Sequence, residues 1–375
     1  MYYDIIIVGG GLAGLASAIH LSKKGLSVLL IEKNEYPKHK VCGEYISNEV
    51  LPYLKALDFN PFDFGAKNIV NFTLSTPRSR SISAKLPTGG FSISRYCIDW
   101  ELSKKAKHYG AQILHINVTD IQFKNDQFQV FTSQEKQYTS EFVIGSFGKR
   151  SNLDVKMKRA FTKKNAPFLG VKAHYKGTFP EDAVGLHNFV GGYCGISKVE
   201  TNLVNVCYIA DFKSFKQYKN IDDFQMKVLS KNKYLKEVFD TYELTFEKPL
   251  AISQVSFLEK EPVENHILMC GDSAGMIHPL AGNGMSMAIR AAQMASEQIL
   301  KFKSGEINSR TELENEYTKI WNKEFSVRLK SGHMIARVFR LGLFSELIML
   351  FLKTFPFILP YIIKRTHGKI MRAEL

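Results

Sequence analysis

The chain has 375 residues, of which 45% are hydrophobic and 23% charged. This ordinary globular composition excludes wholesale disorder, and the length suits two domains with a large buried core. The formal net charge of +14 is compatible with nucleic acid, an anionic membrane or an anionic cofactor, so the position of the charge must decide between them.

The N-terminal segment predicts a dinucleotide-binding βαβ unit. A buried strand over residues 4–8 enters a glycine turn, a helix follows over residues 12–24, and a second strand ends at Glu32, with Lys33 beside it. Gly9, Gly11 and Gly14 have the G-x-G-x-x-G spacing, which permits a tight turn, close approach of a pyrophosphate and close helix–strand packing. Glu32 follows Gly14 at the distance expected of a ribose ligand. This motif alone does not separate FAD from NAD.

Alternating apolar runs in residues 69–94 and 160–261 predict a mainly antiparallel sheet that holds the substrate at its interface with the first unit. His174 and His187 lie in these strands as candidate general bases, although a histidine in a strand is more often a structural partner. Charged pairs are few in this region, so we expect an apolar or aromatic substrate.

Residues 266–292 carry a second motif, which indicates which of the two cofactors is bound. A short strand leads to Gly271-Asp272, then to His278-Pro279, and then to Gly282-Asn283-Gly284 at the start of a helix. This segment resembles the Gly-Asp motif of the flavoprotein monooxygenases and of the geranylgeranyl reductase family. The resemblance implies that Asp272 binds the ribityl chain of FAD and that the glycine-rich helix start faces the flavin. The expected cofactor is therefore FAD.

Further segments resemble the same families. Cys42 and Gly43 match the loop that lies against the flavin in these families, and Arg95 matches an arginine that contacts the FAD phosphates. Gly148 matches the glycine of their Ala-Asp-Gly-x-x-Ser segment. Phe147 replaces the aspartate that these families link to nicotinamide binding. We expect NAD(P)H as the electron donor, with another donor as the alternative.

Two residues are the catalytic candidates. His278 lies beside the flavin in the family layout, and Tyr193 holds a substrate-contact position. Lipid-reducing members carry Tyr-x-Trp-x-Phe-Pro at the Tyr193 segment, whereas this chain has Gly195 and Ser197 in place of the Trp and the Phe. The Trp-x-Trp motif of flavin halogenases is absent as well. No residue pattern suggests a metal site.

The C-terminal segment concentrates the positive charge. From residue 321 to residue 375 there are ten Lys or Arg against three acids, in the most apolar part of the chain. A basic and apolar segment suits a membrane surface better than nucleic acid. Residues 335–375 therefore either pack on the catalytic domains or contact a membrane, and both alternatives stay open.

Cysteine usage and the N-terminus give the expected location. The five cysteines are scattered and form no CxxC pair, which excludes a disulfide framework and indicates a reducing compartment. The N-terminus shows no targeting signal, and the apolar stretch 341–363 is interrupted by charges and prolines. We expect a cytoplasmic protein, with peripheral contact to the inner membrane surface as the open alternative.

These predictions combine into one architecture. The expected fold is α/β, with a Rossmann-like FAD-binding domain (residues 1–68, 95–155 and 262–305), an inserted, mainly antiparallel substrate domain (69–94 and 156–261) and a helical tail (306–375). The resemblance implies an FAD-dependent oxidoreductase. We favour a monooxygenase that hydroxylates an apolar aromatic or lipid-like substrate through a flavin C4a-hydroperoxide. The alternative is a geranylgeranyl-reductase-like enzyme that reduces a C=C bond of an isoprenoid or polyketide lipid.

Overall fold

The computed structural model describes residues 1–339 and 343–375. It confirms the predicted fold class: a Rossmann-like unit, a second and mainly antiparallel sheet, and helices at the C-terminus. Residues 340–342 of the predicted tail lie outside the described residues. The predicted domain limits stay a prediction.

The elements are numbered in chain order. The strands are β1 (Tyr2–Val8), β2 (Val28–Ile31), β3 (Tyr45–Ser47), β4 (Lys67–Ser75), β5 (Ser81–Ser92), β6 (Gln112–Leu114), β7 (Val118–Lys124), β8 (Gln127–Thr132), β9 (Gln137–Gly145), β10 (Phe168–Lys176), β11 (Ala183–Phe189), β12 (Gly192–Lys198), β13 (Val204–Asp211), β14 (Glu243–Leu244), β15 (Leu250–Val255), β16 (Val263–Glu264) and β17 (Ile267–Met269). The helices are α1 (Leu12–Lys23), α2 (Leu51–Ala56), α3 (Arg95–His108), α4 (Asn152–Lys156), α5 (Phe212–Phe215), α6 (Ile221–Lys227), α7 (Lys233–Thr241), α8 (Gly284–Lys303), α9 (Arg310–Phe339), α10 (Leu343–Thr354) and α11 (Ile358–Thr366).

The first sheet has a parallel centre in the order β17–β9–β1–β2–β6. The last four residues of β1 and all of β2 are apolar and buried, and helix α1 packs against both strands. Helix α1 packs against α3 and α8, and its residues from Leu12 to Ser22 are buried. This burial on several sides explains why α1 carries so many small residues. The antiparallel strands β7 and β8 extend the sheet from β9.

The second sheet has the order β14–β10–β13–β12–β11–β4–β5–β3, with β15 beside β10. One face packs against α6 and α7, and Cys194 and Ile196 of β12 belong to that core. Because side chains alternate along a strand, Tyr193, Gly195 and Ser197 occupy the opposite face. That face carries the contacts to the first unit.

The C-terminal helices cover both units. The N-terminal half of α9 joins the core of the first unit through Tyr317, Trp321 and Phe325. The inner sides of α10 and α11 pack on the second sheet. Within the described residues no single helix is long and apolar enough to cross a membrane, but the pair 345–354 and 358–366, bent by 119°, meets that length and composition together.

Candidate functional site

The glycine turn after β1 is built for close backbone contact. Gly9 has a φ of +107°, in the left-handed region that favours glycine. A Cβ atom at Gly14 would lie 2.0 Å from the Gly9 carbonyl oxygen, so only glycine fits there. No side chain caps the start of α1 at Gly11. The first N–H groups of α1 are therefore available to the phosphates of a dinucleotide.

Glu32 lies at the carboxyl end of β2, beside this turn. Its Oε2 accepts a hydrogen bond from the Gly10 N–H at 2.8 Å, and its Oε1 accepts from the Asn34 N–H at 3.0 Å. The carboxylate thus positions the turn as well as facing the site.

A cavity of about 280 Å³ opens at the ends of β1, β2 and β9. Gly9, Glu32, Lys33 and Phe147 are among the residues that line it. In open α/β folds a dinucleotide binds at this edge of the sheet. The space and the glycine turn together fit the adenosine end of FAD.

Two basic side chains converge near the glycine turn. The Arg95 guanidinium donates two hydrogen bonds to the Asp99 carboxylate, at 2.8 and 2.7 Å, and Lys40 Nζ donates to the same carboxylate at 2.8 Å. A Cβ at Gly11 would lie 3.5 Å from Arg95 Nη2, so the guanidinium borders the turn. Burial alone would raise the pKa of Asp99, but Arg95 and Lys40 hold it below its ordinary value. The three groups keep one net positive charge, which suits a pyrophosphate.

The second motif follows β17 directly. Gly271 has a φ of +61°, and the Gly148 N–H donates to Ser273 Oγ at 2.9 Å, which joins the predicted Gly148 loop to this turn. Burial raises the pKa of the Asp272 carboxyl, while Lys260 and Arg95 act in the opposite direction. Asp272 therefore lies within the electrostatic reach of Arg95, which connects the two motifs at one site.

The residues just before α8 differ in what they do. Gly282 has a φ of +62°, and Gly284 begins α8. The Asn283 side chain is turned to Glu49 at 3.4 Å and to Arg328 at 3.5 Å, so any contact with a cofactor would fall to its backbone. Pro279 begins a short 3₁₀ turn, and its side chain lies outside the described part of the chain.

Cys42 and Gly43 form a loop held over the second sheet. Asn205 Nδ2 of β13 donates to the carbonyl oxygens of Cys42 at 3.3 Å and of Gly43 at 2.9 Å. The Cys42 Sγ lies 3.4 Å from Met285 Sδ, and burial raises the pKa of its thiol. Cys42 is thus packed as a small apolar residue beside the start of α8.

Sequence reasoning missed the most buried charges of the site. The Glu44 carboxylate accepts hydrogen bonds from Lys172 Nζ at 2.6 Å, from His174 Nε2 at 2.8 Å and from the Arg95 N–H at 2.8 Å. Glu44 and Lys172 are both fully buried. The signal was present: Lys172 and His174 alternate on one face of an otherwise apolar strand. His174, a predicted candidate base, is therefore bound to Glu44.

His187, the other candidate base in a strand, is also held by partners. Its Nδ1 lies 2.9 Å from Ser75 Oγ, and its ring stacks on Tyr234 with centroids 4.8 Å apart. Burial lowers its pKa to about 4. The side chain is neutral near pH 7, and both nearby groups fix its position, so a structural role accounts for it.

The structure brings the two catalytic candidates together. The Tyr193 and His278 rings are 5.7 Å apart between centroids, and both line a cavity of about 90 Å³. Phe168, Phe189, Ile209 and Leu280 also line this cavity, which makes it mainly apolar. His278 and Leu280 lie on either side of Pro279, which is a predicted cofactor contact. The cavity therefore borders the expected cofactor site.

The Tyr193 hydroxyl is unusual within this cavity. It is buried and has no hydrogen-bond partner among residues 1–339 and 343–375. Burial raises its pKa well above 10, so the hydroxyl keeps its proton. An unpaired buried hydroxyl costs free energy, which a substrate atom at this point would recover.

The missing aromatic platform leaves space on the same sheet face. Gly195 pairs with Cys207 in the strand register, and a Cβ at Gly195 would meet its nearest atom, the Cys207 carbonyl oxygen, only at 3.8 Å. Ser197 is fully buried and its hydroxyl has no partner within the described chain. The described residues also contain no group of three or more metal-ligating side chains.

Comparisons with known proteins show what this chain is similar to. The family described as FAD dependent oxidoreductase matches residues 4–41. The conditioned medium factor receptor 1 of Dictyostelium discoideum is 22% identical over 95% of this chain and 72% of its own. The digeranylgeranylglycerophospholipid reductase of Methanococcus vannielii is 25% identical over 86% of this chain and 83% of its own.

A solved structure shares the fold over nearly the whole length. The flavin-dependent brominase Bmp2 superposes with a TM-score of 0.80 at 18% identity, covering 98% of this chain and 93% of that one. At this identity the likeness concerns the fold alone. Taken with the glycine turn and the Gly271-Asp272 motif, the family match at the N-terminus and the similarity to a digeranylgeranylglycerophospholipid reductase over most of the chain support an FAD-dependent oxidoreductase.

Proposed function

We propose that this protein reduces a carbon–carbon double bond of an apolar, lipid-like substrate. The observation that carries the proposal is the buried, protonated hydroxyl of Tyr193, which has no partner within the described chain, on a residue that lines an apolar cavity beside His278. The similarity to a reductase of geranylgeranyl lipids over 86% of the chain supports the same reaction.

The groups around the cavity have separate roles in this reduction. When bound and reduced by the electron donor, FAD would supply the hydride that goes to one carbon of the double bond. The Tyr193 hydroxyl gives its proton to the other carbon, and the proton is replaced from solvent after the product leaves. The apolar lining formed by Phe168, Phe189 and Leu280 excludes water from the reacting atoms. His278 orients the substrate against the Tyr193 ring.

Hydroxylation by a monooxygenase, which the sequence favours, is the second candidate. The specific observation in its favour is the absence of the Trp and Phe that line the prenyl pocket of lipid reductases, where this chain has Gly195 and Ser197. In that reaction His278 would accept the proton of a phenolic substrate, because burial raises the pKa of Tyr193 and its hydroxyl therefore keeps its own proton.

One experiment separates the two reactions. Chemically reduced protein is mixed without oxygen with an unsaturated geranylgeranyl lipid, and the yellow colour of the oxidised flavin is followed. We expect the colour to return and the lipid to gain two hydrogen atoms. Return of colour only with oxygen, a blue-shifted transient absorption, and a product heavier by one oxygen atom would assign hydroxylation instead. No reaction with either an unsaturated lipid or a phenolic lipid would overturn both.

The electron donor is part of the same proposal. We propose NAD(P)H as the reductant, although Phe147 lines the dinucleotide cavity at the position where related families carry aspartate. Anaerobic mixing with NADH or NADPH tests this directly. Bleaching of the flavin by either nucleotide supports the proposal, whereas bleaching only by dithionite or a reduced ferredoxin would contradict it.

A further inference from the structure

The outer side of α10 and α11 is an exposed apolar surface. Six large apolar or aromatic side chains of this segment are at least 41% exposed. They are Leu347, Leu350, Phe351, Phe355, Phe357 and Tyr361. We call these six side chains the outer patch. Contiguous apolar patches of this kind are rare on proteins that have no partner at that surface.

The inner side of the same helices fixes the outer patch in place. Met349, Leu352 and Leu359 are buried, and they pack with Leu74 and Tyr193 of the second sheet. Helical spacing puts Met349 and Leu352 on the face opposite to Leu347 and the other exposed residues of α10. Packing inside the protein therefore accounts for the inner residues and leaves the outer patch without a role.

Ring contacts show that the outer patch is continuous. The Phe351 and Phe355 rings are 5.0 Å apart between centroids, and the Phe355 and Phe357 rings are 6.2 Å apart. Phe357 caps the start of α11, and Tyr361, four residues further on, is exposed as well. The exposed aromatic side chains thus continue from α10 across the bend into α11.

The outer patch lies in a segment rich in positive charge. Residues 343–375 contain five basic side chains and two acidic ones. All five basic side chains are exposed: Lys353, Lys364, Arg365, Lys369 and Arg372. Of the two acids, Glu346 is buried on the inner side, where its carboxylate lies 3.5 Å from Arg80. The surface that faces outward is therefore both apolar and basic.

We propose that the outer patch docks this protein on the surface of an anionic phospholipid bilayer. The aromatic side chains enter the headgroup region, and the basic side chains meet the lipid phosphates. The 119° bend between the two helices suits a segment that lies in the interface. A second copy of the chain is a poorer occupant, because a symmetric contact would bring the two basic rims together.

The position of the outer patch connects docking to the cavity. Tyr193 lies both in the lining of the cavity and in the cluster beneath α10 and α11, so docking would put the cavity on the membrane side of the protein. A lipid-like substrate would then approach the site from that side. The docking proposal itself does not depend on which reaction the protein catalyses.

Vesicle binding of the full-length, FAD-loaded protein tests the proposal. Vesicles of phosphatidylcholine with one part in three of phosphatidylglycerol are sedimented, with pure phosphatidylcholine vesicles in parallel. We expect binding to the anionic vesicles that weakens strongly when NaCl is raised from about 0.05 M to about 0.5 M. A wild-type protein that stays in the supernatant with both kinds of vesicle would overturn the proposal.

Two matched pairs of variants locate the binding surface. F357S/Y361S should weaken binding at least tenfold, while M226S/V327S, which changes two exposed apolar residues elsewhere, should not. K364Q/R365Q should weaken binding by about fivefold per residue, while K163Q/K164Q, an exposed pair outside the tail, should leave it unchanged. Flavin content and circular dichroism confirm folding. Equal losses in the control variants, or a wild-type dimer that F357S/Y361S dissociates, would refute bilayer docking.

Discussion

At the scale of single residues, the Tyr193 hydroxyl is a buried polar group that the fold leaves available to bind a substrate. Its ring is fixed between the sheet and the tail helices, but its oxygen has no partner within the described chain. Removing that one oxygen therefore changes the chemistry of the cavity and little of its packing.

The variant Tyr193→Phe tests this role. We expect turnover to fall by about 10² to 10⁴, the usual contribution of a positioned proton donor, with flavin content and spectrum unchanged. The thermal midpoint should stay the same or rise, because the variant removes an unsatisfied buried hydroxyl. Steady-state rates and thermal unfolding give the two readouts. Unaltered turnover would remove Tyr193 from the mechanism.

Glu32 offers a second residue-scale prediction, concerning the cofactor. Its carboxylate holds the Gly10 N–H and the Asn34 N–H, so Glu32→Ala loses a cofactor-facing group and loosens the glycine turn. We expect FAD affinity to fall at least tenfold, measured by fluorescence of the released flavin. Glu35→Ala, at an exposed position three residues on, serves as the matched control and should retain full FAD.

At the scale of elements, the last residues of the chain form a strap across the first unit. The Gly368 N–H donates to Glu49 Oε2 at 2.6 Å, and the Met371 N–H donates to the Glu49 carbonyl oxygen at 2.8 Å. Glu49 is 1% exposed, and Arg328 Nη1 lies 3.2 Å from its Oε1. The strap therefore completes the hydrogen bonding of a buried carboxylate.

Removing residues 367–375 should destabilise the protein. A hydrogen bond to a charged group contributes about 1.5–3 kcal/mol, which for a chain of this length lowers the thermal midpoint by roughly 2–4 °C. Differential scanning calorimetry measures the change. Deletion of residues 373–375 alone leaves Gly368 and Met371 in place and removes only the half-buried Leu375 from the core, so the midpoint should fall less. Equal midpoints for the two truncations would show that the strap does not stabilise the fold.

The sequence predicted some elements well for a physical reason. The glycine turn and the Gly271-Asp272 segment are local, since their backbone geometry depends on residues within a few positions, and both lie where they were expected. The family resemblance made Tyr193 and His278 separate candidates, and only the fold shows that their rings lie together. The role of Glu44 could not be found in the same way, because its partners Lys172 and His174 come from a strand about 130 residues away and only the fold brings them together.

At the scale of the whole molecule, two buried histidines make stability depend on pH. Burial lowers the pKa of His20 and of His187 to about 4, from an ordinary value of 6.5. As the pH falls below 6.5 the unfolded chain takes up these protons and the folded protein does not. Stability is therefore complete above pH 6.5 and decreases down to about pH 4.

Urea unfolding at a series of pH values measures this dependence. Each histidine should account for a loss of about 3 kcal/mol between pH 6.5 and pH 4. The variant His187→Asn keeps a polar group near Ser75 Oγ and does not titrate, so its stability should fall less steeply over this range. The same slope in the variant and the wild type would show that His187 does not contribute.

One buried ion cluster also joins the first unit to the second sheet. Glu44 belongs to the loop of the first unit that carries Cys42 and Gly43, while Lys172 and His174 belong to β10 of the second sheet. Burial works to raise the pKa of Glu44, but Lys172 and His174 together hold it below its ordinary value. The cluster therefore stabilises the fold above the ordinary pKa of a glutamate, and this contribution is lost as the pH falls through the lowered pKa.

A double-mutant cycle tests whether this cluster joins the units. Lys172→Met removes the cation from a fully buried carboxylate and should cost about 3–5 kcal/mol of the free energy of unfolding. Adding Glu44→Gln removes the uncompensated charge, so the double variant should recover most of that loss. Because the same carboxylate accepts the Arg95 N–H, Lys172→Met should also lower FAD affinity. If the single and double variants were equally unstable, the packing of the Lys172 side chain, rather than its charge, would hold the two sheets together.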